Sequence, residues 1–173
     1  PGHLDPWSKI KLGWVTPKRI TSSATYKMQP SETKPDIYMI DGPYPEGEYL
    51  LIENRQALHY DHDIWTGGAL IWHIDDSVYL NTKAGGRYQG DEWPANGDHY
   101  QVALVQADGL FELERNTNKG HADDFYTEEG QSLEPGNGGT VYPNTDAYQG
   151  GQVVPIGVTI TGHKMAVLQM WFT

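Results

Sequence analysis

The sequence predicts a mainly β domain over residues 1–173, an antiparallel sandwich or curled sheet with one short N-terminal helix and long Gly/Asn/Asp-rich loops. Three observations point there. Apolar residues recur with a period of two in short runs, the signature of strands. The 20 Gly and 11 Pro fall between those runs and do not gather in one linker, as expected of many short strands joined by turns. Only one stretch carries the start and stop signals of a helix.

That stretch opens with Asp5 as N-cap and Pro6 at the first helical position, continues through Trp7 to Leu12, and is closed by Gly13. Trp14, Val15 and a break at Pro17 lead into the strands. Ile37–Ile40 ends at the turn Asp41-Gly42-Pro43, and Glu48–Asn54 follows Gly47. Ala69–Asp75 follows Gly67-Gly68, and its continuous apolar run suits a strand buried on both faces. Gln101–Ala107 is a further strand, halted by Asp108-Gly109. Val158–Thr161 and Met165–Phe172, joined by Gly162-His163-Lys164, read as a terminal hairpin. The segments Lys83–His99 and Arg115–Gly151 are rich in Gly, Asn, Asp and Pro, and long loops of this kind are where function concentrates.

Charge and composition bound the partners. With 12 Lys and Arg against 23 Asp and Glu, the net charge is −11, which repels phosphate backbones and anionic lipid and favours divalent cations. Nucleic acid and membrane insertion are therefore not expected, the longest apolar runs being only a few residues, as in Ala69–Trp72. With no Cys, disulfides and thiolate metal sites are excluded. The opening Pro1-Gly2-His3-Leu4, without initiator Met, and a helix with little of its own to pack on suggest a fragment of a larger precursor.

Oxygen-rich loops are the first place to seek a metal. Asp108, Asn116, Asn118, Asp123 and Asp124 lie in a Gly-containing loop and supply carboxylate and amide oxygens of the kind calcium takes six to eight at a time. The spacing is not that of an EF-hand, and the same residues also describe a solvated acidic turn with Asx caps. A weaker cluster is His59, Asp61, His62 and Asp63. On an extended chain His59, Asp61 and Asp63 share a face, and imidazole with carboxylate suits zinc or manganese. A polar loop between strands, with Asp61 as a structural cap, is the plainer reading.

Within the strands, His73 and Asp75 point the same way, as do Glu53 and Arg55, and satisfied buried polar groups or ion pairs are the default there. Six Trp and eleven Tyr against three Phe make a skewed aromatic set. Trp7, Trp14, Trp72 and Trp171 fall in helix or strand patterns and are assigned to the core. Trp65, Trp93, Tyr88 and Tyr142 fall in loops and form a candidate stacking face for sugar or peptide. No His-Glu-x-x-His, Gly-x-Ser-x-Gly, phosphate loop or Cys nucleophile occurs, so catalysis within these residues lacks a signature.

Four segments together resemble a family: Leu4–Val15, Glu48–Gln56, Gly68–Asp75 and His99–Gly109 are similar, in this order, to the part of immune inhibitor A-type secreted zinc metallopeptidases that follows the zinc helix and the Met turn. The resemblance covers most of the chain. It implies a secreted endopeptidase with zinc at the catalytic centre and calcium in support. The family's zinc-binding histidines and catalytic Glu have no counterpart here, so zinc would belong to a catalytic half that this chain lacks. Where that family reads Gly-Asp-x-Gly-Asp-x-Phe, this chain reads Gly120-His121-Ala122-Asp123-Asp124-Phe125, with His121 in place of an acid.

Two functions are expected on this basis. One is a β-rich, non-catalytic, calcium-stabilised portion of a secreted zinc metalloendopeptidase, partnered by its catalytic half. The alternative is a stand-alone extracellular calcium-binding module that binds carbohydrate or assembles with copies of itself. A third reading makes a hydrolytic metal site from His59, Asp61, His62 and His73.

Overall fold

The computed structural model describes residues 2–78, 100–114, 116–127, 131–136, 142–148, 153–163 and 167–172. The one α-helix among these residues, α1 (Pro6–Lys11), starts as the sequence predicts. The Asp5 side chain accepts from the Ser8 amide at 2.8 Å, and Gly13 leaves the helix at φ 73°.

Nine strands follow among the described residues: β1 (Lys18–Arg19), β2 (Ala24–Lys27), β3 (Ile37–Ile40), β4 (Glu48–Arg55), β5 (Gly68–Asp75), β6 (Val102–Leu104), β7 (Ser132–Leu133), β8 (Val158–His163) and β9 (Val167–Phe172). They form a five-stranded sheet in the order β1-β3-β4-β5-β6 and a four-stranded sheet in the order β2-β9-β8-β7. All pairings are antiparallel except β1 with β3. The mainly β architecture with one short helix is as predicted. The strand expected over Gln101–Ala107 is shorter, because the chain leaves the ladder at Gln106 and Asp108-Gly109 turns it, Gly109 taking φ 68°. The terminal hairpin pairs His163 with Val167.

Alternation along the strands sorts the two faces of the five-stranded sheet. Tyr38, Ile40, Leu50, Ile52 and Ile71 share one core with Leu133, Val158, Ile160 and Met170 of the second sheet. Ile37, Met39, Tyr49, Leu51 and Ile74 face the other way, toward Trp7 and Ile10 of α1. The layers are thus helix, five-stranded sheet and four-stranded sheet. The expectation that α1 has little to pack on is corrected: it lies on β4, and its buried Lys9 reaches Glu53 at 3.4 Å. Glu53 also pairs with Arg55 at 3.2 Å, the ion pair expected from their shared face.

Two of the four tryptophans assigned to the core are not there. Trp14 is 65 % exposed just beyond α1, and Trp171 is 53 % exposed because Met170 takes the inward position beside it. Trp7 and Trp72 do pack, partly buried, on the α1 face. No helix among the described residues is long and apolar enough to cross a membrane.

Candidate functional site

The oxygen-rich loop runs from the end of β6 to Tyr126 and is wound by its own side chains. Gln106 is buried, and its Oε1 accepts the Glu112 amide at 3.0 Å. Asp108 Oδ1 takes the Leu110 amide at 2.9 Å, an Asx turn. Asn118 Nδ2 donates to Glu112 Oε2 at 2.7 Å, while its Oδ1 takes the Gly120 amide at 2.9 Å. Phe111 and Asn116 stand at φ 53° and 54°, in the left-handed region that non-glycine residues enter at tight turns.

Asp124 closes the loop. It lies in a short 3₁₀ turn, Ala122–Asp124, whose capping box joins His121 to Asp124 in both directions. Its Oδ2 accepts the His121 amide at 2.6 Å, and its own carbonyl accepts from Ala107 at 3.2 Å, stitching the loop to its start. The residue is 1 % exposed, yet Oδ1 is buried with no hydrogen-bond partner among the described residues. Burial pushes the carboxyl above its ordinary pKa, the His121 amide opposes this, and the negative fields of Asp108 and Glu112 raise it further. Tyr126, also buried and with no partner for its hydroxyl among the described residues, has its pKa raised by burial first and then by Asp108.

Of the five calcium candidates, the structure brings Asp108 and Asp124 into one field and ties Asn118 to Glu112. It leaves Asn116 exposed and turns Asp123 outward, with its side chain 72 % exposed. Glu112, which the sequence reading missed, joins the group; the alternating Phe111-Glu112-Leu113-Glu114 reads as a strand, and only the Asn118 contact reveals it. Among the described residues, no group of three or more His, Asp or Glu side chains is arranged to hold a metal ion.

The weaker cluster does not form the face expected of it. His59 takes φ 51° and opens a 3₁₀ turn over His59–Asp61, so the strand alternation is lost. His62 and Asp63 point into solvent, 68 % and 89 % exposed, paired with one another at 3.2 Å. Asp61 is buried and works as the structural anchor: its Oδ1 takes the His3 amide at 2.8 Å, and Arg55 beside it holds the Leu4 carbonyl at 2.7 Å. These histidines do not converge with His73, so the third, hydrolytic reading loses its geometry.

His73 instead meets Glu48. Its Nε2 lies 2.7 Å from Glu48 Oε1, which also accepts the Tyr148 amide at 2.7 Å, and both side chains are buried. Tyr44 closes the group by donating to the Thr145 carbonyl at 2.7 Å. Beside it lies a small, partly open cavity of about 20 Å³ lined by His73, Phe111, Tyr142, Asn144 and Tyr148, room for about one water. Tyr142 stands edge-on to Phe111 there with its hydroxyl buried, so it is not an open stacking surface as expected. Trp65 is 60 % exposed, its ring against Gly120 of the acidic loop. Tyr88 and Trp93 lie outside the described residues.

Compared with protein-family models, with curated proteins and with solved structures, the chain has no match.

Proposed function

We propose that the chain is the β-rich, non-catalytic portion of a secreted zinc metalloendopeptidase, stabilised by calcium and partnered by its catalytic half. One observation carries this reading. The four segments that resemble that family are far apart in sequence, yet in the fold they are α1, β4, β5 and β6, each packed on or paired with the next. Their polar residues, unusual in helix and strand interiors, serve as the joints of that unit: Lys9 with Glu53, Glu48 with His73, Arg55 with the Leu4 carbonyl.

The role follows from the same joints. Arg55 and Asp61 hold residues 3 and 4 rigidly against the sheet, so a catalytic half entering there is held in a defined place. Leu4, Leu58 and Tyr60, 41 %, 39 % and 69 % exposed around that point, offer it an apolar footing. Zinc, which polarises the peptide carbonyl and acidifies its water in such enzymes, belongs to that other half, because this sequence has no His-Glu-x-x-His. Calcium suits the Asp108–Asp124 loop: the orphaned Asp124 Oδ1, the nearby Asp108 and Glu112, and main-chain carbonyls are the hard oxygens it takes.

The gene provides the test. A His-Glu-x-x-His encoded upstream, with endopeptidase activity in the whole product that is lost on zinc removal, is the expected result; an upstream region without that motif overturns the reading. The second reading, a stand-alone calcium-binding module for carbohydrate or self-assembly, draws on the exposed Trp65. A strict monomer by light scattering with no hits on a glycan array counts against it.

A further inference from the structure

The four-stranded sheet has a chemistry unlike the rest of the molecule. Its strands read Ala-Thr-Tyr-Lys, Ser-Leu, Val-Thr-Ile-Thr-Gly-His and Val-Leu-Gln-Met-Trp-Phe, without one carboxylate in a chain that has 23 acidic residues. The five-stranded sheet, by contrast, buries Glu48, Glu53 and Asp75. The inner face of the four-stranded sheet is apolar, with Val158, Ile160 and Met170 at 0 %, 1 % and 0 % exposure. Strand alternation therefore turns Trp171, Thr159, Thr161, Thr25 and Ser132 outward.

Register arranges these residues. Trp171, 53 % exposed, pairs directly with Thr159. Position 169 pairs with both Thr25 and Thr161, and Thr161 pairs with Ser132, so hydroxyls lie on one line across the sheet. Three strand spacings make that line about 14 Å long.

We propose that this outer face binds a neutral polysaccharide, with Trp171 as the stacking platform and the threonine and serine hydroxyls as hydrogen-bonding partners. The indole presents a flat apolar surface to the C–H face of a pyranose, and hydroxyls exchange hydrogen bonds with the ring substituents. Charge selects this occupant over others. A polyanion is repelled by the net charge of −11. A cationic peptide finds no carboxylate within the strands; Glu134, just beyond β7, sits at the edge and already accepts the Ser132 hydroxyl at 2.8 Å. A protein partner needs on the order of 800 Å² of complementary surface around a cluster of buried anchor side chains, and the described residues of this face offer one exposed indole. The inference does not depend on the peptidase reading, and either can fail alone.

The test is retention of the whole chain on insoluble cellulose, chitin and starch, followed by titration with the matching hexasaccharide while tryptophan fluorescence is read. The wild type is expected to be retained on at least one of them, equally at low and high salt. Trp171→Ala should weaken binding by about tenfold or more, and Trp171→Tyr should restore part of it. Trp14→Ala, removing an exposed indole beyond α1, should change nothing. Absence of retention on all three polymers overturns the proposal, as does retention that salt abolishes or that Trp171→Ala and Trp171→Tyr both leave unchanged.

Discussion

Glu48 Oε1 receives both the His73 imidazole nitrogen and the Tyr148 amide, each at 2.7 Å, so one buried carboxylate oxygen joins two neighbouring strands to a segment a hundred residues away. Glu48→Ala removes the acceptor from both donors at once and leaves them buried. A loss of about 3 kcal/mol in unfolding free energy is expected, with Glu48→Gln less severe. Urea unfolding of the two variants measures it, and losses under about 0.5 kcal/mol, typical of a surface position, would refute the joint.

Lys9 and Glu53 make the matching joint on the opposite face. Removing the ammonium leaves Glu53, 0 % exposed, with Ser31 and Arg55 as its partners among the described residues. Because Arg55 still compensates the carboxylate, Lys9→Ala should cost about 1–3 kcal/mol, whereas removing both charges together, Lys9→Met with Glu53→Leu, should cost less. A double-mutant cycle by thermal unfolding reads the coupling; additive effects would mean that the pair is incidental.

These joints show what was legible in the sequence. Strands β3, β4, β5 and the β8–β9 hairpin, with α1 and its caps, follow from local period and turn residues. Pairing across the chain does not: β2 joins β9 and β1 runs parallel to β3 for reasons of long-range packing. The partner of His73 also came from outside its own strand. Asp75 shares its face, but Glu48, which sits opposite Asp75 in the ladder, reaches it diagonally. His59 misled because a positive φ at a non-glycine residue destroys the alternation that its neighbours suggest. Trp171 leaves the core for a reason that is local: alternation with the fully buried Met170 turns it outward.

Gly120 stands at φ 108°, where an added Cβ would lie 3.1 Å from Trp65 Cζ3. Gly120→Ala therefore strains the backbone and presses on the indole, and about 1–3 kcal/mol of destabilisation is expected. Trp65→Ala combined with Gly120→Ala relieves the contact but not the φ. Thermal unfolding should thus show only partial recovery; full recovery would locate the cost in the ring contact alone.

The acidic loop makes a prediction in pH. The folded pKa of Asp124 is raised above its ordinary value of 3.8, first by burial, so the folded state holds the proton more tightly than the unfolded chain. With chelator present, its contribution to stability falls as pH rises from that ordinary value through the raised folded one, and the penalty is complete above it. Asp124→Asn should flatten this part of the profile and stabilise the chelated protein near neutrality. On the calcium reading proposed above the sign is opposite, because the ion would bind the ionised carboxylates of Asp124, Asp108 and Glu112. Its stabilising effect should grow with pH across the same window and shrink sharply in Asp124→Asn. Melting temperatures with chelator and with millimolar calcium, taken at stepped pH, check both signs. A profile that calcium leaves unmoved at every pH would mean that the loop holds no calcium, and that Asp124 is simply a buried acid whose burial costs stability once it ionises.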